Sequence, residues 1–232
     1  MHKTIGILGG MSPESTVEYY LPLTHAYIER FGDYAYPEII IFSVSFQAYV
    51  DWPRQGRWDL VAQGLSEAAR KLEAAGAEFI VIATNTMHIV EQEIRQSISI
   101  PVLSLLDVVA QAIIDRGIKT VGLLGTEFTM EHGFYQSALA ERGIEIIIPE
   151  DVDRKVVNDI IYDELIKGVI RDDSRNKYIA IIDRLAARGA QGIILGCTEI
   201  PLLIGAKDTP LPLFNTTALH VQAALDYALD ES

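Results

Sequence analysis

Apolar positions along the 232-residue chain fall into two alternating patterns. Short runs rich in β-branched residues, at 4–8, 39–44, 79–83, 101–103, 120–124, 144–148, 192–195 and 211–214, predict strands apolar on both faces, as in a buried parallel sheet. Between them the spacing turns helical. Residues 59–75 carry Leu60, Val61, Leu65, Ala68, Ala69 and Leu72 as one stripe, with Gly76 as a stop, and Gly189 closes a later segment in the same way. Ser12, Pro13 and Glu14 read as an N-cap, a first-turn proline and an acid at the positive end of a helix. The βα alternation predicts a doubly wound α/β architecture, whose ligands gather beyond the carboxyl ends of the strands.

The strand signature occurs twice. Lys3-Thr4-Ile5-Gly6-Ile7-Leu8-Gly9 returns as Lys119-Thr120-Val121-Gly122-Leu123-Leu124-Gly125, and Glu38-Ile39-Ile40-Ile41 as Glu145-Ile146-Ile147-Ile148. Gly76-Ala77-Glu78-Phe79-Ile80-Val81 pairs with Gly189-Ala190-Gln191-Gly192-Ile193-Ile194, and Ile100-Pro101-Val102-Leu103 with Leu211-Pro212-Leu213-Phe214. Four matches in one order, 107 to 116 positions apart, predict two pseudo-symmetric lobes, each with a four-stranded parallel sheet. The first lobe is expected to comprise residues 1–103 plus 216–232, and the second 104–215. In this pairing Thr84-Asn85-Thr86 falls on Cys197-Thr198-Glu199. Both triplets follow a buried strand where a helix could begin, so their hydroxyls and free N–H groups suit a carboxylate in a cleft flanked by equivalent strand ends.

Composition narrows the chemistry. Hydrophobic residues make up 49% of the chain and charged residues 22%, as in a globular protein with a sizeable core. Against 32 acidic residues there are only 19 Lys and Arg, and the net charge of -13 disfavours nucleic acid and anionic membrane surfaces as partners. A single cysteine, Cys197, allows no intrachain disulfide and fits a reducing, cytoplasmic setting; no export signal or 18-residue apolar span is evident. His2, His25, His88, His132 and His220 are scattered singly, so no metal site is expected. His88, one turn beyond Thr84, either tunes the site or satisfies the core. The turn after the first strand lacks G-x-G-x-x-G spacing, and the second strand ends at Phe42-Ser43 without a ribose-binding acid, which argues against a dinucleotide. That turn is expected instead to let Gly10, Met11 and Ser12 approach a small ligand.

Two groups flanking one substrate could remove a proton from one face of a carbon and deliver another from behind, which is what inversion of a stereocentre requires. A thiol of pKa about 8.5, lowered by a helix N-terminus, would suit this task at Cys197. The alternative is that Cys197 packs as a small hydrophobe.

Taken together, Ile5-Gly6-Ile7-Leu8-Gly9-Gly10-Met11-Ser12, Thr84-Asn85-Thr86-Met87-His88 and Gly196-Cys197-Thr198-Glu199 make the chain resemble the cofactor-independent aspartate/glutamate racemases over essentially its whole length. The resemblance implies racemisation of an acidic amino acid without pyridoxal phosphate or any other cofactor, using one cysteine from each half. Here Thr84 stands in place of the first cysteine, and Cys197 matches the second, which in the family generally takes the proton from the L enantiomer. A preference for L substrates is the implied consequence. The segment Ile161-Tyr162-Asp163-Glu164-Leu165-Ile166-Lys167-Gly168 is similar to one that brings a lysine to a substrate carboxylate, so Lys167 joins the candidates. Asn85, Thr86, Thr126, Thr198 and Glu199 complete the expected substrate-binding set together with Gln47, from a region where family members often carry an arginine. The resemblance further implies a homodimer, and that a helix at 105–116 packs on the second lobe. Two rival readings share these residues: an arylmalonate-type decarboxylase with a single cysteine, and a two-lobed amino-acid-binding protein without chemistry.

Overall fold

A computed structural model of the chain describes residues 2–230. Eight strands form, each within two residues of its predicted limits: β1 (Ile5–Gly9), β2 (Ile39–Ser43), β3 (Phe79–Ile82), β4 (Val102–Leu103), β5 (Thr120–Leu124), β6 (Glu145–Ile147), β7 (Ile193–Leu195) and β8 (Leu213–Asn215). They assemble into two all-parallel sheets of order β2-β1-β3-β4 and β6-β5-β7-β8, the predicted α/β class with two four-stranded sheets. The chain divides into two compact units, Met1–Leu105 with Thr217–Ser232, and Leu106–Thr216. Residues 1, 231 and 232 of the expected first lobe lie outside the described residues.

Register makes the internal repeat a physical fact. Ile5 lies opposite Ile39 as Val121 lies opposite Ile146, Gly6 opposite Ile80 as Gly122 opposite Ile193, and Ile80 opposite Val102 as Ile193 opposite Leu213. Each pair is the image of the other under the sequence match. The glycine at the centre of the repeated strand has a packing reason. A Cβ on Gly6 would stand 2.9 Å from Ala77 Cβ and 3.1 Å from the Phe79 carbonyl, which closes that position, and one on Gly122 would stand 2.7 Å from Ile193 Cδ1, which would have to turn aside.

Burial corrects one expectation. The central strands β1, β3 and β7 are wholly buried, but β2 and β6 are not apolar inside a sandwich of helices; Ile41 is 40% exposed. Both lie at sheet edges and pair on one side only. In the first unit the faces of β1 divide the core as the two-residue period requires. Leu8 packs with Ile80, Ile82, Val61 and Leu65 beneath the helix Trp58–Ala74, while Ile5 and Ile7 pack with Tyr19, Leu23, Phe79 and Val81 and with Val221, Leu225 and Ala228 of the last helix, Thr216–Leu229. Burying each such side chain contributes roughly 1.5–3 kcal/mol. Ser12 caps the helix Pro13–Phe31, its hydroxyl accepting from Ser15 N at 3.2 Å, with Pro13 in the first turn as predicted.

The last helix is also tied in by a buried polar pair. His220, fully buried, donates from Nε2 to the carbonyl of Leu103 at 2.9 Å, and its Nδ1 accepts from the Tyr19 hydroxyl at 2.8 Å. Burial pushes His220 down to about 3, with His88 adding to the effect. Below pH 6.5 the unfolded chain therefore takes up a proton that the folded chain refuses, and acid favours unfolding. From this residue the unfolding free energy should fall by about 1.4 kcal/mol per pH unit between pH 6.5 and 3. Urea titrations across that range should show a shallower dependence for His220→Gln than for the native chain; equal slopes would contradict the assignment.

Candidate active site

Beyond β3 and β7 the ladder continues for one more residue in each unit. Ala83 N donates to Leu8 O at 2.9 Å, and Gly196 N donates to Leu124 O at 2.7 Å. The next residues are Thr84 and Cys197, so the two stand at equivalent heights above equivalent sheets. After each, the chain turns into a helix. Asn85 leads into the 3-10 turn Thr86–Val90 and the helix Glu91–Gln96, and Glu199 leads into the short helix Ile200–Leu203. Thr84 and Thr86 are half-buried and Asn85 is buried.

Cys197 is engaged locally. Its Sγ donates to Glu199 Oε2 at 2.9 Å, and Thr198 Oγ1 donates to the same oxygen at 2.6 Å. Burial and the adjoining Glu199 carboxylate push the thiol well above its ordinary range, and the opposing pull of the Thr198 and Glu199 backbone N–H groups is smaller. The expected lowering by a helix start is thus reversed: the helix that follows has one turn and little dipole, while a carboxylate sits against the sulfur. Cys197 rests as a neutral thiol, hydrogen-bonded rather than packed as a plain hydrophobe. Glu199 spends its oxygen on these two donors instead of capping the helix.

Two further polar groups of this unit were not singled out by the sequence. Tyr178, buried on the helix Asp172–Ala187, donates its hydroxyl to Val157 O at 3.1 Å and is pushed up by burial and by the negative fields of Cys197 and Glu164. Glu164 accepts from Ser174 Oγ at 2.6 Å. Tyr178 is one position on an ordinary buried stripe, and only its distant partners distinguish it; Glu164 stood unremarked within the segment that ends at Lys167.

The remaining candidates fall in several places. Gly10 N donates to Thr16 Oγ1 at 2.8 Å, and with φ +90° and Val44 backbone atoms 2.5 Å from where a Cβ would be, the residue holds the turn against the end of β2. Met11 is buried among core residues of the first unit, and Ser12 is the helix cap. Gln47 is exposed on the helix Phe46–Arg54, donating to both oxygens of Asp51 at 3.0 Å. Thr126 caps the helix Glu127–Glu131, accepting from Thr129 N at 3.3 Å. Lys167 ends the turn Leu165–Lys167, which packs against the helix Ile200–Leu203; its Nζ is exposed and 3.6 Å from Asp163. Among the described residues no group of three or more His, Cys, Asp or Glu is arranged to hold a metal ion, and no helix is long and apolar enough to cross a membrane.

Several known proteins resemble the chain over nearly its whole length. The broad-specificity amino-acid racemase RacX of Bacillus subtilis (strain 168) is 29% identical over 220 residues, covering 92% of this chain and 93% of that protein. A crystal structure of a provisionally assigned Asp/Glu racemase from Yersinia pestis superposes with a TM-score of 0.93 at 47% identity, over 98% of this chain and 100% of that one. An aspartate racemase homologue from Pyrococcus horikoshii OT3 superposes with a TM-score of 0.87 at 37% identity, over 99% and 100% of the two chains. The signature of the Asp/Glu/hydantoin racemases matches residues 8–224, and the chain, an isomerase of the amino-acid racemase type, belongs to that family.

Proposed function

We propose that the chain racemises an acidic amino acid, aspartate or glutamate, at Cα, with Cys197 as the acid/base on the L face and Thr84 opposite it, using side chains alone. The observation that carries this reading is the shared position of Thr84 and Cys197, each two residues past the same strand of a repeated sheet. A repeat that offers one proton-bearing group per copy supplies the pair that inversion needs.

The resting hydrogen bond sets the first step. Glu199 Oε2 takes the Sγ proton, and the thiolate then removes the Cα proton. The electron pair of the broken C–H bond passes into the substrate carboxylate as an enediolate. The opposite face takes a proton from Thr84 Oγ1, and the alkoxide recovers one from solvent as Glu199 releases its own. An enediolate needs donors aimed at its oxygens. Asn85, Thr86 and Thr198 serve that role, with Thr126 and Lys167 toward the second carboxylate. Gly10, Met11 and Ser12 form the wall that holds the first strand end in shape. Because an alcohol is a much weaker acid than a thiol, the D direction is the slower one. The working unit is a cytoplasmic homodimer.

With L-aspartate or L-glutamate in deuterium oxide, the native protein should incorporate deuterium at Cα and form the D enantiomer. Cys197→Ser should lose both by about 100-fold or more. Thr84→Ala should keep deuterium incorporation into the L substrate while losing inversion. A native protein that exchanges no α-hydrogen would overturn the proposal, and would leave a protein that binds without turnover.

A second outcome follows from the raised thiol. Because the proton that leaves Sγ stays in the site on Glu199, kcat/KM for α-exchange should stay level from pH 6 to 8 in the native protein. Glu199→Gln removes the negative charge beside the sulfur, so its thiolate should appear at lower pH, read by ultraviolet absorbance or alkylation rate. Turnover should nonetheless drop by about 10-fold or more, because the proton acceptor is gone. An unchanged thiol titration in this variant would remove Glu199 from the mechanism.

A further inference from the structure

His88 belongs to no part of the chemistry above, yet its side chain is completely buried and every ring nitrogen is engaged. Nε2 lies 3.4 Å from Leu105 N, a backbone donor, so that nitrogen must be the acceptor. The ring proton therefore sits on Nδ1, which faces two carbonyls, Thr84 O at 2.9 Å and Asn85 O at 3.2 Å. His220 holds the opposite tautomer, donating from Nε2 to Leu103 O, and the two rings stand 6.1 Å apart. Neither ring can gain a proton without setting a donor against a donor or a cation beside its neighbour.

From this geometry we infer that His88 is a positioning residue for Thr84: its Nδ1–H holds the Thr84 carbonyl, and Leu105 N holds the ring, so that the hydroxyl is presented at a fixed height above the sheet. The inference rests on the racemase reading for its consequence and on the hydrogen bonds for its mechanism. Thr84 lies beyond the last ladder bond, where its own N–H turns back to Ile82 O at 2.9 Å. Without His88 its carbonyl would keep no side-chain anchor. Displacing a reacting group by about 1 Å costs on the order of 100-fold in rate. The groups facing the ring are few. Glu91 Oε2 lies 4.0 Å from Nε2, held by Ser104 Oγ at 2.8 Å, and Arg95 pairs with the other Glu91 oxygen at 2.7 Å. From the last helix comes His220, backed by Tyr19. Burial outweighs Glu91 and holds His88 below its ordinary range, in keeping with a fixed neutral tautomer.

Asparagine can place an N–H where Nδ1 stands; leucine fills the space with no donor. In deuterium oxide, His88→Leu should lose inversion of the L substrate by about 10- to 100-fold. Deuterium incorporation on the L face, which depends on Cys197, should stay within about threefold of native, and His88→Asn should restore inversion. Native-like inversion in His88→Leu, a parallel fall of both rates, or no rescue by His88→Asn would overturn the assignment. The tautomer is tested separately in the native protein with 15N-labelled histidine. An Nδ1–H signal coupled to the Thr84 carbonyl and unchanged from pH 8 to 5 is expected. An Nε2–H tautomer or a titration within that range would refute the inference. This second measurement stands even for a protein that exchanges no α-hydrogen, where the racemase reading alone would fall.

Discussion

The parallel register between the first and third strands of each sheet is the constraint on which everything else hangs. Once Gly6 is set against Ile80 and Gly122 against Ile193, the residues that leave the sheet are determined by counting. A slip of one position would turn Thr84 or Cys197 to the opposite face and bring Ala83 or Gly196 to the strand end, neither of which carries a proton to give. The absence of side chains at Gly6 and Gly122 suits that register, because Ala77, Phe79 and Ile80 crowd the first glycine and Ile193 and Leu185 the second. A packing requirement deep in each core thus sets the height of a chemical group at its rim.

Chemistry at the second strand end is shaped by a conflict between charges. A carboxylate beside a thiol is a poor way to obtain a standing thiolate, and the half-buried side chain is short of water as well. The arrangement instead stores the proton at the sulfur and provides an acceptor for it 2.9 Å away. Reactivity is then conditional on what enters the site, since an ammonium group beside the two anionic centres would favour the ionised state. A resting thiol is also less exposed to oxidation than a resting thiolate.

Much of this was legible in the chain before any coordinates. Buried central strands announce themselves through apolar runs, and the repeat named their equivalents, so Thr84 and Cys197 could be paired by alignment alone. What could not be read has identifiable causes. Apolar runs do not say whether a strand has one neighbour or two, so Ile39–Ser43 and Glu145–Ile147 looked as buried as the centre. A cysteine followed by Thr-Glu could equally have pointed at a helix start; only the side-chain rotamers turn Glu199 back onto the sulfur. The surroundings of His88, His220, Tyr19 and Tyr178 come from residues tens to hundreds of positions away, and local pattern carries no trace of them. A place after a glycine turn marks Met11 and Ser12 as candidate ligand neighbours without telling that the same positions also serve core packing and helix capping.

The first unit is discontinuous, and that has a bearing on how the chain is made. Val221, Leu225 and Ala228 close a core begun by Ile5 and Ile7, and the Tyr19–His220 bond spans 201 positions. On the ribosome that face of the first sheet is covered only by the helix Pro13–Phe31 until the second unit and the helix Thr216–Leu229 have been synthesised. The intervening unit, whose segments are continuous, is free to collapse first. A core begun at Ile5 is thus finished more than two hundred positions later, by the helix Thr216–Leu229.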